Sequence, residues 1–182
     1  MLQITINSTE LFDDKTQEFI HIKEQILCLE HSLLSISKWE SKWHKPYLTK
    51  TNKTIEETID YIKCMTLTSN VRPEVYLALS NKNFDEIANY IEDPMTATWF
   101  SSSDSDSKSN QQITNELIYY WMFTLQIPKE CEKWHIARLM TLIRVFNEEN
   151  KTSTKSNNFT NDMLTQRRAL NEARRKQLNT KG

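Results

Sequence analysis

The chain has 182 residues, 38% of them apolar and 26% charged, with a formal net charge of −1. That is chain enough for one domain whose core needs no metal or disulfide, and too little net charge to pull it toward nucleic acid or acidic lipid. Its single glycine is Gly182, where about 13 would be usual, so a Walker loop, a G-x-G-x-x-G turn and a G-x-S-x-G elbow are all excluded.

At the N-terminus Leu2, Ile4 and Ile6 alternate with polar residues, the period of a half-buried strand. Phe19–Ile22 is a second β-prone run, and Asp13-Asp14-Lys15 supplies turn chemistry between them, which predicts a hairpin. From about Lys23 the period changes. Ile26, Leu29, Leu33 and Ile36 recur at three and four, and Trp39 and Trp43 extend that side until Pro46 stops a helix. Thr54-Ile-Glu-Glu57 reads as a capping box, followed by an apolar stripe of Ile55, Ile59 and Ile62.

Pro73 suits the first turn of a further helix carrying Val75, Tyr76 and Leu79. Asn83 is a cap for a short helix with Phe84, Ile87 and Ile91, which Asp93-Pro94 ends. The serine-rich run 101–110 predicts a flexible loop. Beyond it, Ile113, Leu117, Ile118, Tyr120 and Trp121 fall on a helix stopping near Pro128, and Ile136, Leu139, Met140, Ile143 and Phe146 form the next stripe. Residues 151–158 make a second polar linker. Phe159 and Leu164 then staple a Thr160 cap at the start of a C-terminal helix. That end is basic: residues 161–182 carry six basic and two acidic side chains, +4, which leaves −5 on 1–160. The fold expected is mainly α: a helical body over 1–150 with a small N-terminal β-hairpin, then a linker and basic helix over 151–182.

Cys28, Cys64 and Cys131 are odd in number and widely spaced, which points to a reducing compartment. Met1–Ile6 lacks the basic start and long apolar core of a signal peptide, and no apolar run nears the ~20 residues of a spanning helix. Cys28-x-x-His31 and Cys131-x-x-x-His135 both have helical spacing and together offer a Cys₂His₂ set for zinc. Both pairs fall in apolar stripes, however, where cysteine and histidine serve as packing residues, so no metal and no cofactor are expected. No catalytic set emerges: Asp13/Asp14 and Glu56/Glu57 are turn and helix-start chemistry. The chain reads as a non-enzyme.

Two groups of residues are candidates for contact with a partner. Trp39 and Trp43 lie four apart on one helix face among Lys38, Lys42 and Lys45. Core packing is the favoured reading, and a partner-binding hot spot is the sharper one. The basic end places Arg167 and Arg174 seven apart, with Arg168 and Arg175 beside them and Lys176 next. A solvated helix face explains this spacing. A segment that folds on an acidic or helical partner is the alternative, and nucleic acid ranks third.

Several stretches resemble the tail assembly chaperones of long-tailed bacteriophages of Gram-positive hosts. They are Ser37-Lys-Trp-Glu-Ser-Lys-Trp43, Glu74-Val-Tyr-Leu-Ala-Leu79, residues 90–98, Tyr119-Tyr-Trp-Met122, residues 133–145 and residues 169–179. The resemblance implies a helical protein of the host cytoplasm that keeps the tape measure protein soluble during virion morphogenesis. It would recruit tail tube protein and leave before the tail is complete. A longer frameshifted product is common in that family, and self-association is open. No functional residue is carried over. Two other readings stay open: a structural neck or tail-completion protein, and a small nucleic-acid-binding regulator that uses the C-terminal helix.

Overall fold

The computed structural model describes residues 1–13, 17–49, 52–100, 112–150 and 167. β1 (Leu2–Ile6) pairs antiparallel with β4 (Gln25–Leu29), and β2 (Thr9–Asp13) pairs with β3 (Glu18–Ile22). Leu2 faces Leu29, Ile6 faces Gln25, Thr9 faces Ile22 and Asp13 faces Glu18. One register therefore runs through both sheets, and the two pairs are inner and outer arms of a single ribbon interrupted at 7–8 and 23–24. This corrects the simple hairpin: the partner of Leu2–Ile6 is Gln25–Leu29, not Phe19–Ile22.

The inner arm buries Ile4, Ile6, Leu27 and Leu29, whereas the outer arm buries Ile22 and exposes Phe12 and Phe19. On an unbroken pleat Ile22 would point away from the side of Leu27 and Leu29. The buried face thus changes across the break.

The helix expected from Lys23 begins later. Residues 25–29 are strand, with Ile26 56% exposed, and α1 (Leu33–Trp43) starts after Ser32, whose hydroxyl accepts from the Ser35 N–H at 3.3 Å. The other edge of β4 is covered by the chain leaving α2 (Ile55–Met65): Glu30 N–H donates to Met65 O at 3.0 Å, and Leu67 N–H to Cys28 O at 2.8 Å. An open strand edge is thereby closed.

The capping box at the head of α2 forms as expected, with Glu57 N–H donating to Thr54 Oγ1 at 3.2 Å and Thr54 N–H to the Glu57 carboxylate at 2.8 Å. Its apolar stripe is rotated from the one expected. Ile55 is 76% exposed, while Tyr61, Ile62 and Met65 are buried together with Glu57. The Trp39 indole N–H, which donates to Glu57 O at 2.9 Å, fixes that side of α2 against α1.

Pro73–Ala78 is a 3₁₀ turn rather than an α-helix, and it buries Val75 and Tyr76. The cap of α3 (Asn81–Glu92) is Ser80, with Asn83 as its reciprocal partner three residues on. Asn83 is free to donate from Nδ2 to Thr5 O at 3.3 Å, and so ties α3 to β1. Next come α4 (Asn115–Thr124), a 3₁₀ turn at Lys129–Lys133 and a helix over 136–150. The chain forms two compact units, Met1–Thr141 and Leu142–Gly182. The 101–110 loop, the 151–158 linker, the Thr160 cap and the C-terminal helix lie outside the described residues, apart from Arg167, which is helical and exposed. Among the described residues no helix is long and apolar enough to cross a membrane.

Scarcity of glycine has not removed left-handed turns. Gln17, His44, Asn70, Met95 and Gln126 all have φ between 49° and 59°. A side chain there costs about 1–2 kcal/mol relative to right-handed backbone. At His44 the conformation terminates α1, with its N–H on Glu40 O at 2.8 Å.

Candidate functional site

Interior and exposed aromatics behave as two separate populations. In the interior, Trp39 is 1% exposed and packs edge-on to Tyr47, which stacks on Tyr61 at 3.7 Å between ring centroids. The polar ends of this cluster all find partners. Tyr61 Oη lies 2.5 Å from His31 Nδ1, and Tyr90 Oη donates to Glu30 at 2.6 Å. The buried Glu40 carboxylate accepts from Tyr47 N–H at 2.7 Å, Asn115 N–H at 2.8 Å and Asn115 Nδ2 at 2.6 Å. One carboxylate thus joins α1, the chain after it and the start of α4. Among the described residues no buried side-chain nitrogen or oxygen lacks a partner, the condition under which polar groups are tolerated in a core.

His31 and His135, about a hundred residues apart in sequence, meet here with ring centroids at 5.1 Å. His135 Nδ1 accepts from Ala137 N–H at 3.3 Å, and its Nε2 donates to Tyr90 O at 3.0 Å, which fixes a neutral tautomer. Burial, and then the neighbouring His135, push His31 down to about 3. Burial likewise lowers His135. The Cys₂His₂ set does not assemble: Cys28 lies on β4, Cys131 is buried in the second 3₁₀ turn, and among the described residues no three His, Cys, Asp or Glu side chains group to hold a metal. The two histidines are core residues. Their Cys28-x-x-His31 and Cys131-x-x-x-His135 spacings do not lie on helices, because a strand and a 3₁₀ turn occupy those positions.

Of the sequence candidates for partner contact, Trp39 has no surface through which to act. Trp43 is half-buried, stacked 6.1 Å from Trp39, and its indole N–H donates to Asp60 at 2.9 Å. Lys42 and Lys45 place their ammonium groups 5.8 and 5.9 Å from its ring. Burial opposes ionisation of Asp60, but the bonds from Lys42 and Trp43 prevail and hold its carboxyl below the usual range. Trp43 is therefore already engaged within the chain. Arg167 is exposed; Arg168, Arg174, Arg175 and Lys176 lie outside the described residues.

Exposed aromatics lie elsewhere: Phe12 and Phe19 on the outer arm of the ribbon, Trp99, and a pair on α4. This helix turns Ile118 and Met122 inward and leaves Tyr120 63% and Phe123 68% exposed. Tyr119 stacks against Phe123 at 6.5 Å, and its hydroxyl donates to Glu132 at 2.9 Å, which holds the outer face in place. Burial and that contact push the Tyr119 hydroxyl up to about 12. Leu117 to Phe123 contains no charged residue, and the exposed side of α4 carries Tyr120 and Phe123 between Glu116 at its start and Thr124 at its end. That run was the signal for this face, although Phe123 does not stand out by periodicity. A second apolar feature is a recess of about 380 Å³ lined by Ile55 and Phe84 with Lys53, Thr58, Asn81 and Asp85.

Comparison of the chain with protein-family models, with curated proteins and with solved structures finds no match.

Proposed function

We propose that this chain is a non-catalytic protein-binding module that shelters an apolar helical stripe of a partner, in the manner of the phage tail assembly chaperones it resembles. Its partner on this reading is the tape measure protein in the host cytoplasm, with tail tube protein recruited afterwards. The observation that carries the reading is the outward face of α4, where Tyr120 and Phe123 stand exposed on a helix held from behind by Ile118 and Met122. Aromatic side chains are the residues most enriched at binding hot spots, and a rigid helix presents them at little entropic cost. The apolar recess at Ile55 and Phe84, with Lys53 and Asp85 at its rim, adds further surface of the same kind.

Co-expression with a tape measure protein tests the reading. A soluble complex that co-purifies supports it, and a tape measure protein that remains in the pellet removes it. Particles purified from infected cells should lack this chain; its presence in stoichiometric amount would favour a structural tail-completion role instead.

A further inference from the structure

The α4 face leaves a second surface unused, at the break in the ribbon. There His21, Lys23 and Gln25 line a cleft of about 600 Å³ together with Asn70, Arg72 and Val75. Among the described residues its lining carries two permanent cations, Lys23 and Arg72, and no carboxylate. Arg72 is held in place because Nη2 donates to His21 O at 2.9 Å. Lys23 has no ion-pair partner among the described residues. Glu10 approaches this lining, 3.4 Å from the His21 imidazole, and Glu24 lies exposed between Lys23 and Gln25 in sequence. Asn70, at φ 59°, turns the chain just before the Arg72 side of the cleft.

The chemistry of the lining is mixed in a way that suits a polypeptide. Lys23 and Arg72 offer charge to a carboxylate, and a guanidinium does so through several donors at once. Gln25 and Asn70 each present both a donor and an acceptor, the complement of a peptide group. Val75 adds a small apolar element. A bare phosphate would fill little of this volume and leave the amides unused. A nucleic-acid strand would bring a row of phosphates, and among the described residues this lining offers two fixed cations to meet it.

We propose that this cleft docks an acidic, extended segment of a partner polypeptide, with a carboxylate between Lys23 and Arg72 and the backbone beside Gln25 and Asn70. The site is independent of the α4 face, so either can fail without the other.

The test uses the full chain, isotope-labelled for amide spectra, with a short fluorescent peptide of alternating Glu and Val. The peptide should move the amides of His21, Lys23, Asn70 and Arg72, and binding should weaken as salt is raised. Lys23→Gln should weaken it about fivefold, the effect of one exposed ion pair. Arg72→Gln should weaken it further, and Arg72→Lys should restore part of the loss. Lys23 is exposed, so Lys23→Gln should keep the wild-type amide pattern elsewhere. Unmoved amides at these positions would overturn the proposal. So would equal binding of a Lys–Val peptide, or inorganic phosphate giving the same shifts at equal affinity. Lys23→Gln should still solubilise the tape measure protein, which separates failure of this site from failure of the α4 reading.

Discussion

Trp39 and Phe123 are both large aromatics on helices, yet the molecule uses them in opposite ways. Trp39 is sealed between α1 and α2, its indole N–H satisfied by Glu57 O and its ring flanked by Tyr47 and Trp43. Phe123 stands outside a helix whose inner face is already packed, with Tyr119 stacked beside it. Burial and a satisfied polar end make an aromatic an anchor of the fold. Exposure on a rigid support makes it available to another molecule.

The contrast is broken most forcefully at the anchor. Trp39→Ala should cost about 3–5 kcal/mol by removing the ring and leaving a cavity, read as a lower midpoint in urea. An unchanged midpoint would mean that the α1–α2 contact is not the centre of the core. Next in size is acid. The folded state holds His31 neutral down to about 3, while the unfolded chain takes up a proton near 6.5. The unfolded state therefore binds more protons below 6.5, and stability, complete above that pH, should decline as pH falls toward 3. His135, lowered too, acts in the same direction. Glu57 and Asp60, held below 4.5 and 3.8, begin to lose their contribution only in the carboxylate range. Urea midpoints measured at closely spaced pH values should thus start to fall near 6.5; a flat profile down to 4.5 would show that the imidazoles do not resist protonation.

A smaller effect of opposite sign belongs to neither population. Met95 sits at φ 49°, where glycine is at home. Met95→Gly should raise stability by about 0.5–1 kcal/mol, the left-handed strain relieved less the extra freedom of the unfolded chain. A loss in thermal unfolding would show that the side chain contributes more than the backbone strain costs.

How much of this was legible in the sequence depended on the range of the interaction. The Thr54–Glu57 box lies within one turn and forms as read. Ser80 and Asn83 are equally local, but two capping residues three apart can exchange roles, and the structure chose Ser80. Residues 25–29 show where local pattern misleads. Ile26 and Leu29 fit helical spacing with Leu33 and Ile36, while Leu27 and Leu29 fit strand alternation, and only pairing with distant Leu2–Ile6 decides between them. The His31–His135 meeting and the three donors on Glu40 likewise depend on chain closure, and no local signal marks them. On α4 the uncharged run from Leu117 to Phe123 announced an apolar helix, but which side stays uncovered is set by the packing of Ile118 and Met122.

The double variant Tyr120→Ser, Phe123→Ser tests the central claim most directly, because it removes the exposed aromatics of α4 and leaves its buried Ile118 and Met122 in place. Its unfolding free energy should stay within about 0.5 kcal/mol of the parent, as for other surface changes. Co-expressed tape measure protein should nevertheless shift from the soluble to the insoluble fraction. A variant that folds equally well and still keeps that partner soluble would contradict the account.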